Sequence, residues 1–164
     1  MCQGMTALRT QGMELGRAYR CGLLATVYGQ VGQSAEGLRL LSEALASEVR
    51  SNDAELYRLK GELTLQTQFG VRGAESEVPT SQSPDPKSQA EAEAYFLKAI
   101  EVARHQQAKS WELRATTSLA RLWQQQGKTK KDHKMLSEIY NWFTEGFDTK
   151  DLQEAKALLK ELSH

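Results

Sequence analysis

The residues of this chain that could carry chemistry are few and lie far apart in sequence. The three histidines are at positions 105, 133 and 164, and the two cysteines are Cys2 and Cys21. A catalytic site needs a convergent nucleophile, base or acid, and a metal site needs closely spaced ligands. The sequence has no phosphate-binding glycine loop, serine elbow or paired-histidine zinc motif. We therefore expect no catalytic site, cofactor or metal in this chain.

Cysteine usage and charge narrow the remaining classes. Two cysteines without metal or redox spacing are typical of reduced thiols in a cytosol, and Cys21 is expected to be a small buried filler on an apolar helix face. Lys plus Arg and Asp plus Glu are both 21, whereas nucleic-acid binders usually have a basic excess. The basic run Lys128–Lys134 is interrupted by Asp132 and is expected to be a solvated turn. No apolar run approaches the ~20 residues that span a bilayer. We expect a cytoplasmic protein that binds neither nucleic acid nor membrane.

Helical periodicity dominates the sequence, and no strand-like alternation is convincing. Gly32 and Gly127 fall where helices should end, since glycine adopts the left-handed cap conformation at little cost. The pattern predicts eight helices, at about 2–11, 13–31, 35–50, 53–69, 89–107, 110–126, 129–143 and 149–162.

Several polar residues have the spacing of helix caps. Asn52 with Glu55, and Ser88 with Glu91, have the spacing of a capping box. Asp148 is predicted to cap the last helix.

One stretch departs from the helical pattern. The segment GVRGAESEVPTSQSPDPKSQ, residues 70–89, contains all three prolines and almost no large apolar residues. Such a composition predicts a long flexible insertion at about 70–88. A linker between two domains is the alternative.

An internal repeat favours the insertion. The segment 23–46 aligns with 118–141, and each predicts a helix, a glycine turn and a second helix. Small residues mark each pair: Ala25 and Gly37 are 12 apart, whereas Gly61 and Ala92 in the middle pair are 31 apart. The difference of 19 residues is about the length of the proline-rich stretch. The sequence thus predicts one helical-repeat domain over 1–164, with the insertion inside its middle repeat.

This pattern resembles the tetratricopeptide repeat, in which large, small and aromatic residues recur at fixed helix positions. The matching residues are Cys21, Leu24, Ala25, Tyr28, Gly37, Leu41 and Ala44, then Tyr57, Gly61, Ala92, Phe96 and Ala99, then Leu119, Ala120, Trp123, Leu136 and Ile139. Lys60, Thr64 and Asp132 depart from it. The resemblance implies an all-α, right-handed α-α superhelix of about three repeats, with a leading helix and a C-terminal capping helix. A generic helical bundle is the alternative.

A narrower resemblance covers much of the chain. EGLRLLSEALA, AELYRLKGEL, AEAYFLKAIEVARHQQAKSWELRATTSLARLWQQQGK and WFTEGFDTKDLQEAKALLKEL look like the C-terminal repeat region of large bacterial signalling proteins. Those proteins join a nucleotide cyclase or DNA-binding regulatory domain to a P-loop ATPase. The resemblance implies that this chain is a fragment and that cyclase and ATPase activities lie elsewhere.

The C-terminal segment is expected to close the repeat stack. The helix predicted at 149–162 has an apolar side, with Leu152, Ala155, Leu158, Leu159 and Leu162, and a polar side, with Gln153, Lys156, Lys160 and Glu161. The terminal repeat of a stack needs such a cap. Trp142, Phe143 and Phe147 are expected to pack the corner beneath it, although an aromatic docking patch is the alternative.

The tetratricopeptide resemblance also implies a groove, lined by the first helix of each pair. Repeat position assigns to it Tyr19, Thr26, Gln30, Glu55, Arg58, Glu62, Gln66, Arg114, Thr117, Arg121 and Gln124. These residues predict a polar groove of mixed charge that binds a peptide or protein segment, for which Arg58, Arg114 and Arg121 favour an acidic one. Ordinary solvent-facing positions are the alternative.

Together these features predict a non-catalytic interaction module of a signalling protein, with other domains of the parent protein as possible partners. A ligand-sensing domain for a small effector is a second hypothesis. Self-association through an exposed apolar N-terminal face is a third.

Overall fold

The computed structural model describes residues 3–46, 52–70 and 85–163, with the side chains of 3–15, 17, 68–70 and 129–132 outside that description. These ranges form α-helices and no strand. The helices are α1 (Gln3–Gln30), α2 (Ser34–Leu45), α3 (Asp53–Gly70), α4 (Pro86–His105), α5 (Lys109–Gln125), α6 (Thr129–Tyr140) and α7 (Lys150–Leu162). Within the described part of the chain, no helix combines the length and apolar character needed to cross a membrane.

The two predicted glycine turns are confirmed. Gly32 and Gly127 have φ of 76° and 73°. After each, the next amide donates back to a carbonyl five residues earlier: Gln33 N to Tyr28 O at 2.8 Å and Lys128 N to Trp123 O at 2.9 Å. This bond closes the last helical turn and satisfies a carbonyl that the helix leaves free.

A third turn of the same kind follows α4, where the sequence gives no glycine signal. Gln107 has φ of 55°, and the amide of Ala108 donates to the carbonyl of Ala103 at 2.9 Å. A left-handed conformation costs a non-glycine residue roughly 1–2 kcal/mol. The packing of α4 on α5 is what holds Gln107 in it.

The prediction of two helices before residue 31 is wrong. The predicted break at Gly12 is absent, and α1 runs without interruption from Gln3 to Gln30. A glycine within a helix costs only about 1 kcal/mol relative to alanine and keeps its hydrogen-bond donor. One glycine is therefore a weak helix breaker.

The start of α4 also differs from the prediction. Asp85, not Ser88, is the N-cap: its Oδ1 accepts from the Ser88 amide at 2.7 Å, and Pro86 occupies the first turn. Proline suits that place because its fixed φ is helical and no donor is needed there. The predicted bounds of the insertion, about 70–88, are too wide at both ends, since Gly70 belongs to α3 and Pro86 to Ser88 belong to α4. The rest of it, residues 71–84, lies outside the described residues.

Asn52 precedes α3 at the predicted cap position, and its carbonyl accepts from the Leu56 amide at 3.1 Å. Glu55 accepts two hydrogen bonds from the Arg58 guanidinium, each of 2.8 Å. The predicted cap of α7 is wrong. Thr149 is the N-cap of α7, and the contribution of Asp148 is its main-chain carbonyl, which accepts from Gln153 Nε2 at 3.0 Å.

The helices pack in two sets. Among the described residues, α2, α4 and α6 each contact only the helices before and after them, whereas α1, α3, α5 and α7 also contact one another in that order. Between these helices the residue numbers of contacting pairs increase together. From α1 to α3 the pairs are Gly22 with Leu59 and Gly29 with Leu63, and from α3 to α5 they are Glu55 with Arg114 and Glu62 with Ser118. From α5 to α7 they are Arg114 with Asp151 and Arg121 with Glu154. The four odd-numbered helices therefore run parallel, and the even-numbered helices return the chain between them.

Small residues allow the close approach of these helices. Gly61 of α3 faces Phe96 of α4 so closely that a Cβ at Gly61 would lie 2.6 Å from the ring. Gly37 of α2 lies just as near to Leu63 of α3. Three apolar clusters fill the spaces between successive helix pairs, centred on Leu41, Phe96 and Leu136.

At the C-terminus, the amphipathic pattern of α7 is as predicted. Its buried residues are Leu152, Ala155, Leu158 and Leu162, with Leu159 partly buried, and its exposed ones include Gln153, Lys156, Lys160 and Glu161.

The expected aromatic corner is mostly wrong. Phe143 is partly buried against the α7 cluster, but Trp142 is 57% exposed and Phe147 is 48% exposed. The ring of Trp142 meets the edge of Phe143 and the Lys109 ammonium, and Phe147 lies against Tyr140. These two residues follow the end of α6 at Tyr140, and only Phe143 packs against the α7 cluster.

Candidate functional site

A cleft of about 410 Å³ lies on the face formed by α1, α3 and α5. We call it the α1 cleft. Its apolar walls come from Tyr19 and Leu23 of α1, Leu56 and Leu59 of α3 and Trp111 of α5. Its polar lining is Thr26, Asn52, Glu55, Arg58, Glu62 and Arg114, with Ala18 and Gly22 at its base. The cleft thus combines aromatic and aliphatic surface with charges along one side.

A second cleft, of about 300 Å³, lies between α3, α5 and α7; we call it the α7 cleft. Its lining is Arg58, Glu62, Arg114, Thr117, Ser118, Arg121, Lys150, Asp151 and Glu154. Arg58, Glu62 and Arg114 line both clefts. The two clefts therefore adjoin at these three residues, and together they extend across the four parallel helices; we call the pair of clefts the groove.

Arg58 is the centre of this groove. Glu55, Arg58 and Glu62 are spaced three and four residues apart on α3, so their side chains share one face of the helix. The Arg58 guanidinium is bonded to both glutamates, and its Nη1 also lies 3.5 Å from Ser118 Oγ of α5. Burial opposes the charge on Arg58, but the bonds to Glu55 and the charges of Glu62 and Glu55 outweigh it and raise the pKa of Arg58. Arg58 is a fixed, buried cation.

Polar contacts tie α3 to α5 and α5 to α7 across the groove floor. Arg114 Nη2 lies 3.1 Å from Glu55 Oε1, and Arg114 Nε lies 3.7 Å from Asp151 Oδ1. Ser118 Oγ donates to Glu62 Oε1 at 3.0 Å. Arg114 thus bridges carboxylates on two neighbouring helices and keeps its position without a ligand.

At the α7 end of the groove, a further ion pair connects α5 with α7. Arg121 Nη2 donates to Glu154 Oε2 at 2.7 Å, and Lys150 Nζ lies 3.6 Å from Glu154 Oε1. The hydrogen bond from Arg121 lowers the pKa of Glu154, although partial burial opposes this. About half of the Arg121 side chain remains exposed. Arg121 therefore keeps surface that a ligand can reach, which Arg58 does not.

Eight of the residues assigned to the groove from sequence line it. They are Tyr19, Thr26, Glu55, Arg58, Glu62, Arg114, Thr117 and Arg121. The structure places Gln30, Gln66 and Gln124 outside the two clefts. Gln30 is exposed at the end of α1, the Gln66 amide approaches Gly29, and Gln124 Nε2 donates to Glu161 Oε2 at 3.3 Å. These three lie about one helical turn beyond the groove.

Several lining residues were missed by sequence reasoning. Trp111 precedes Arg114 by three residues, Leu23 follows Tyr19 by four, and Ser118 follows Arg114 by four, so helical spacing could have identified them. Lys150, Asp151 and Glu154 had no such signal. They belong to the helix that was interpreted only as a cap, and their role depends on how α7 packs beside α5.

The groove is a surface of paired charges, hydroxyls and apolar patches. Among the described residues, no group of three or more His, Cys, Asp and Glu side chains is placed to hold a metal ion. His133 Nε2 lies 3.3 Å from Ser163 Oγ, outside the groove. Such a surface can bind a polypeptide by hydrogen bonds, ion pairs and apolar contacts. Protein-family models, curated proteins and solved structures provide no match to the chain.

Proposed function

We propose that this chain is a non-catalytic interaction module that binds an extended polypeptide in the groove across α1, α3, α5 and α7. The observation that carries the proposal is the junction of the α1 cleft and the α7 cleft at Arg58, Glu62 and Arg114. The α1 cleft has apolar and aromatic walls, whereas the α7 cleft is lined by charged and hydroxyl side chains. This combination favours a ligand that is apolar at one end and polar at the other. A polypeptide has this property.

We further propose that the helices form a right-handed, tetratricopeptide-like superhelix. The parallel order of α1, α3, α5 and α7, with one returning helix between successive members, supports this. Small residues where paired helices cross, at Gly61 and Gly37, support it as well. In such an array the first helices of the pairs form one continuous surface.

The dimensions of the groove set the length of the ligand. Packed helices lie about 8–10 Å apart, so three spacings between the four helices span roughly 24–30 Å. An extended chain advances about 3.3 Å per residue, and about eight residues therefore cross the groove.

The lining sets the ligand chemistry. An apolar or aromatic side chain fits the α1 cleft, beside Tyr19, Leu23 and Trp111. At the α7 cleft, each cation already has a carboxylate neighbour. Of the three arginines that were expected to bind an acidic ligand, only Arg114 and Arg121 have partly exposed side chains that it could contact. We infer a peptide with an apolar anchor in the α1 cleft, followed toward α7 by one or two polar or acidic residues that reach Arg114 and Arg121 of α5.

A small effector is the second candidate. The α1 cleft has a volume within the range of about 300–1,000 Å³ that is typical of small-molecule pockets, and it contains Trp111. A titration followed by Trp111 fluorescence distinguishes the two ligands. The affinity of a small effector for the α1 cleft should be the same after a substitution at Arg121, whereas the affinity of a peptide that crosses the groove should fall.

The resemblance described above supplies a source for the peptide. We propose that the module belongs to a cytoplasmic bacterial signalling protein and that other domains of that protein contribute the bound segment. This proposal rests on the sequence segments that carry the resemblance.

The test is selection of binders from a randomised eight-residue peptide library on the whole chain. Peptides selected on the wild type should bind Tyr19→Ala and Arg121→Gln about tenfold more weakly, or about 1.4 kcal/mol. Arg39→Gln is the matched control, because Arg39 is also an exposed arginine in ion pairs, with Glu36 and Glu43 on α2, and it does not line either cleft. If peptides bind all three variants like the wild type, the groove is not the binding surface.

A further inference from the structure

The two hydroxyl groups that line the α7 cleft already donate hydrogen bonds within the chain. Thr117 Oγ1 donates to the main-chain oxygen of Leu113 at 2.8 Å, and Ser118 Oγ donates to Glu62 Oε1 at 3.0 Å. Glu62 also accepts from the buried Arg58 guanidinium. Because a hydroxyl has a single hydrogen to donate, neither Thr117 nor Ser118 has a donor left for a ligand.

The pair of Arg121 and Glu154 differs from these groups, because both of its side chains keep hydrogen-bonding capacity that solvent reaches. They are 47% and 36% exposed, and Arg121 Nη2 donates to Glu154 Oε2 at 2.7 Å. A guanidinium has several further N–H donors, and each carboxylate oxygen can accept more than one bond. Glu154 Oε1 lies 3.6 Å from Lys150 Nζ, which is longer than an ordinary hydrogen bond. At this pair, an open donor and an open acceptor therefore lie side by side.

The charges of the α7 cleft are balanced. Its lining contains four cations and three anions, namely Arg58, Arg114, Arg121 and Lys150, and Glu62, Asp151 and Glu154. A fourth carboxylate, that of Glu55, is bonded to Arg58 and lies 3.1 Å from Arg114. The lowered pKa of Glu154 keeps this side chain ionised near neutral pH. An acidic ligand side chain at Arg121 would therefore meet no excess of positive charge and would lie beside the negative charge of Glu154.

We propose that the pair of Arg121 and Glu154 selects an asparagine or glutamine side chain in the bound peptide and discriminates against aspartate and glutamate. A primary amide has an oxygen that accepts from Arg121 and an NH₂ group that donates to Glu154. A carboxylate accepts from Arg121 but has no hydrogen for Glu154, and the two negative charges repel each other. This inference rests on the proposed function, since it specifies which polar residue the groove binds.

A basic ligand side chain is disfavoured for the converse reason. Glu154 attracts a cation, but Arg121 and Lys150 already lie beside its carboxylate, at 2.7 and 3.6 Å. A lysine or arginine of the peptide would be a third positive charge around one negative charge. The amide is uncharged and forms hydrogen bonds with both members of the pair without changing this balance.

The test repeats the selection from the randomised peptide library on the whole chain, with Glu154→Gln as the variant. The wild type should enrich Asn and Gln at one peptide position. Glu in place of Gln at that position should weaken binding about fivefold or more, as expected for two like charges about 4 Å apart at a solvated surface. Glu154→Gln should reverse the preference, because the variant removes the repelling charge and leaves Arg121 to pair with the acidic residue.

Glu138→Gln is the matched control, because Glu138 is also an exposed glutamate that pairs with a lysine, Lys134 of α6, and it lines neither cleft. This variant should keep the wild-type preference. Circular dichroism should show the same helicity for all three proteins, since exposed ion pairs contribute little to stability. Added salt should weaken binding of the Glu peptide to Glu154→Gln more than binding of the Gln peptide to the wild type, because the former depends on a new ion pair.

The outcomes separate this inference from the proposed function. If no peptide binds the wild type, or if binding does not depend on Arg121, both are wrong. If binding depends on Arg121, the groove is the binding surface, and either of two results overturns the inference alone. In the first, the wild type binds the Glu and Gln peptides equally; in the second, Glu154→Gln leaves the preference unchanged.

Discussion

Gly61 allows a decisive test of how α3 packs against α4. In an ordinary helix, Gly→Ala stabilises the protein by about 1 kcal/mol, because alanine loses less backbone entropy on folding. At Gly61 the new Cβ would lie 2.6, 2.8 and 3.0 Å from three atoms of the Phe96 ring. Phe96 is 1% exposed and is held on all sides, so the ring cannot turn away freely.

Two opposing effects set the change in the free energy of unfolding for Gly61→Ala. An extra carbon in a packed core costs about 1–3 kcal/mol. After the helix gain of about 1 kcal/mol is subtracted, we expect Gly61→Ala to destabilise the chain by about 1 kcal/mol. Gly16→Ala is the matched control, since Gly16 is also in a helix and no atom lies within 4 Å of its Cβ position. Gly16→Ala should stabilise the chain by about 1 kcal/mol, so the two variants should differ by about 2 kcal/mol.

The assay is urea unfolding followed by circular dichroism, with melting temperature as a second measure. For a chain of this size, each kcal/mol corresponds to about 2–4 °C. Phe96→Leu should reduce the cost of Gly61→Ala when the two are combined, since the residues are in contact. If Gly61→Ala stabilises the chain as much as Gly16→Ala does, α3 does not pack on Phe96 in this way and the helix pairing is wrong.

Three further predictions concern other contacts. Gln107→Gly should stabilise the chain by about 1 kcal/mol, because glycine adopts φ of 55° without steric cost, and an unchanged urea midpoint would contradict the assigned turn. Ala120→Leu should destabilise by ~1–3 kcal/mol through overpacking beside Leu136, and an unchanged midpoint would mean that Ala120 does not face α6. Glu112 is buried between Arg104 and Lys109 at 2.6 and 2.8 Å; burial opposes its charge, but these two bonds lower its pKa. The stability that Glu112 contributes is therefore present above the unfolded carboxyl pKa near ~4.3 and is lost as the pH falls through the lower folded value. Glu112→Gln should destabilise by about 1–3 kcal/mol at pH 7 and flatten the loss of stability in acid, and a pH profile identical to the wild type would refute this.

The sequence by itself determined where helices form, because helical periodicity and glycine turns are local. The turns at Gly32 and Gly127 needed only the left-handed preference of glycine, and the polar and apolar sides of α7 needed only a 3.6-residue period. The small residue Gly61 was identifiable because close helix packing excludes a Cβ.

The helix ends were decided by competition between partners. Asp148 was a reasonable cap by type, but Thr149 holds the cap position of α7, and Asp85, not Ser88, caps α4. The continuity of α1 through Gly12 shows the same point. Local preferences of about 1 kcal/mol are small enough for the surrounding structure to override.

In the groove, the sequence determined the faces and the tertiary structure decided the partners. Spacing placed Glu55, Arg58 and Glu62 on one face of α3, but only the packing of α5 buried Arg58 and brought Ser118 to it. Spacing also could not show that α7 would supply Glu154 to Arg121, or that Trp142 would remain in solvent beside the partly buried Phe143. The physical reason is that periodicity is a property of a single helix, whereas burial and ion pairing depend on which helix lies alongside it.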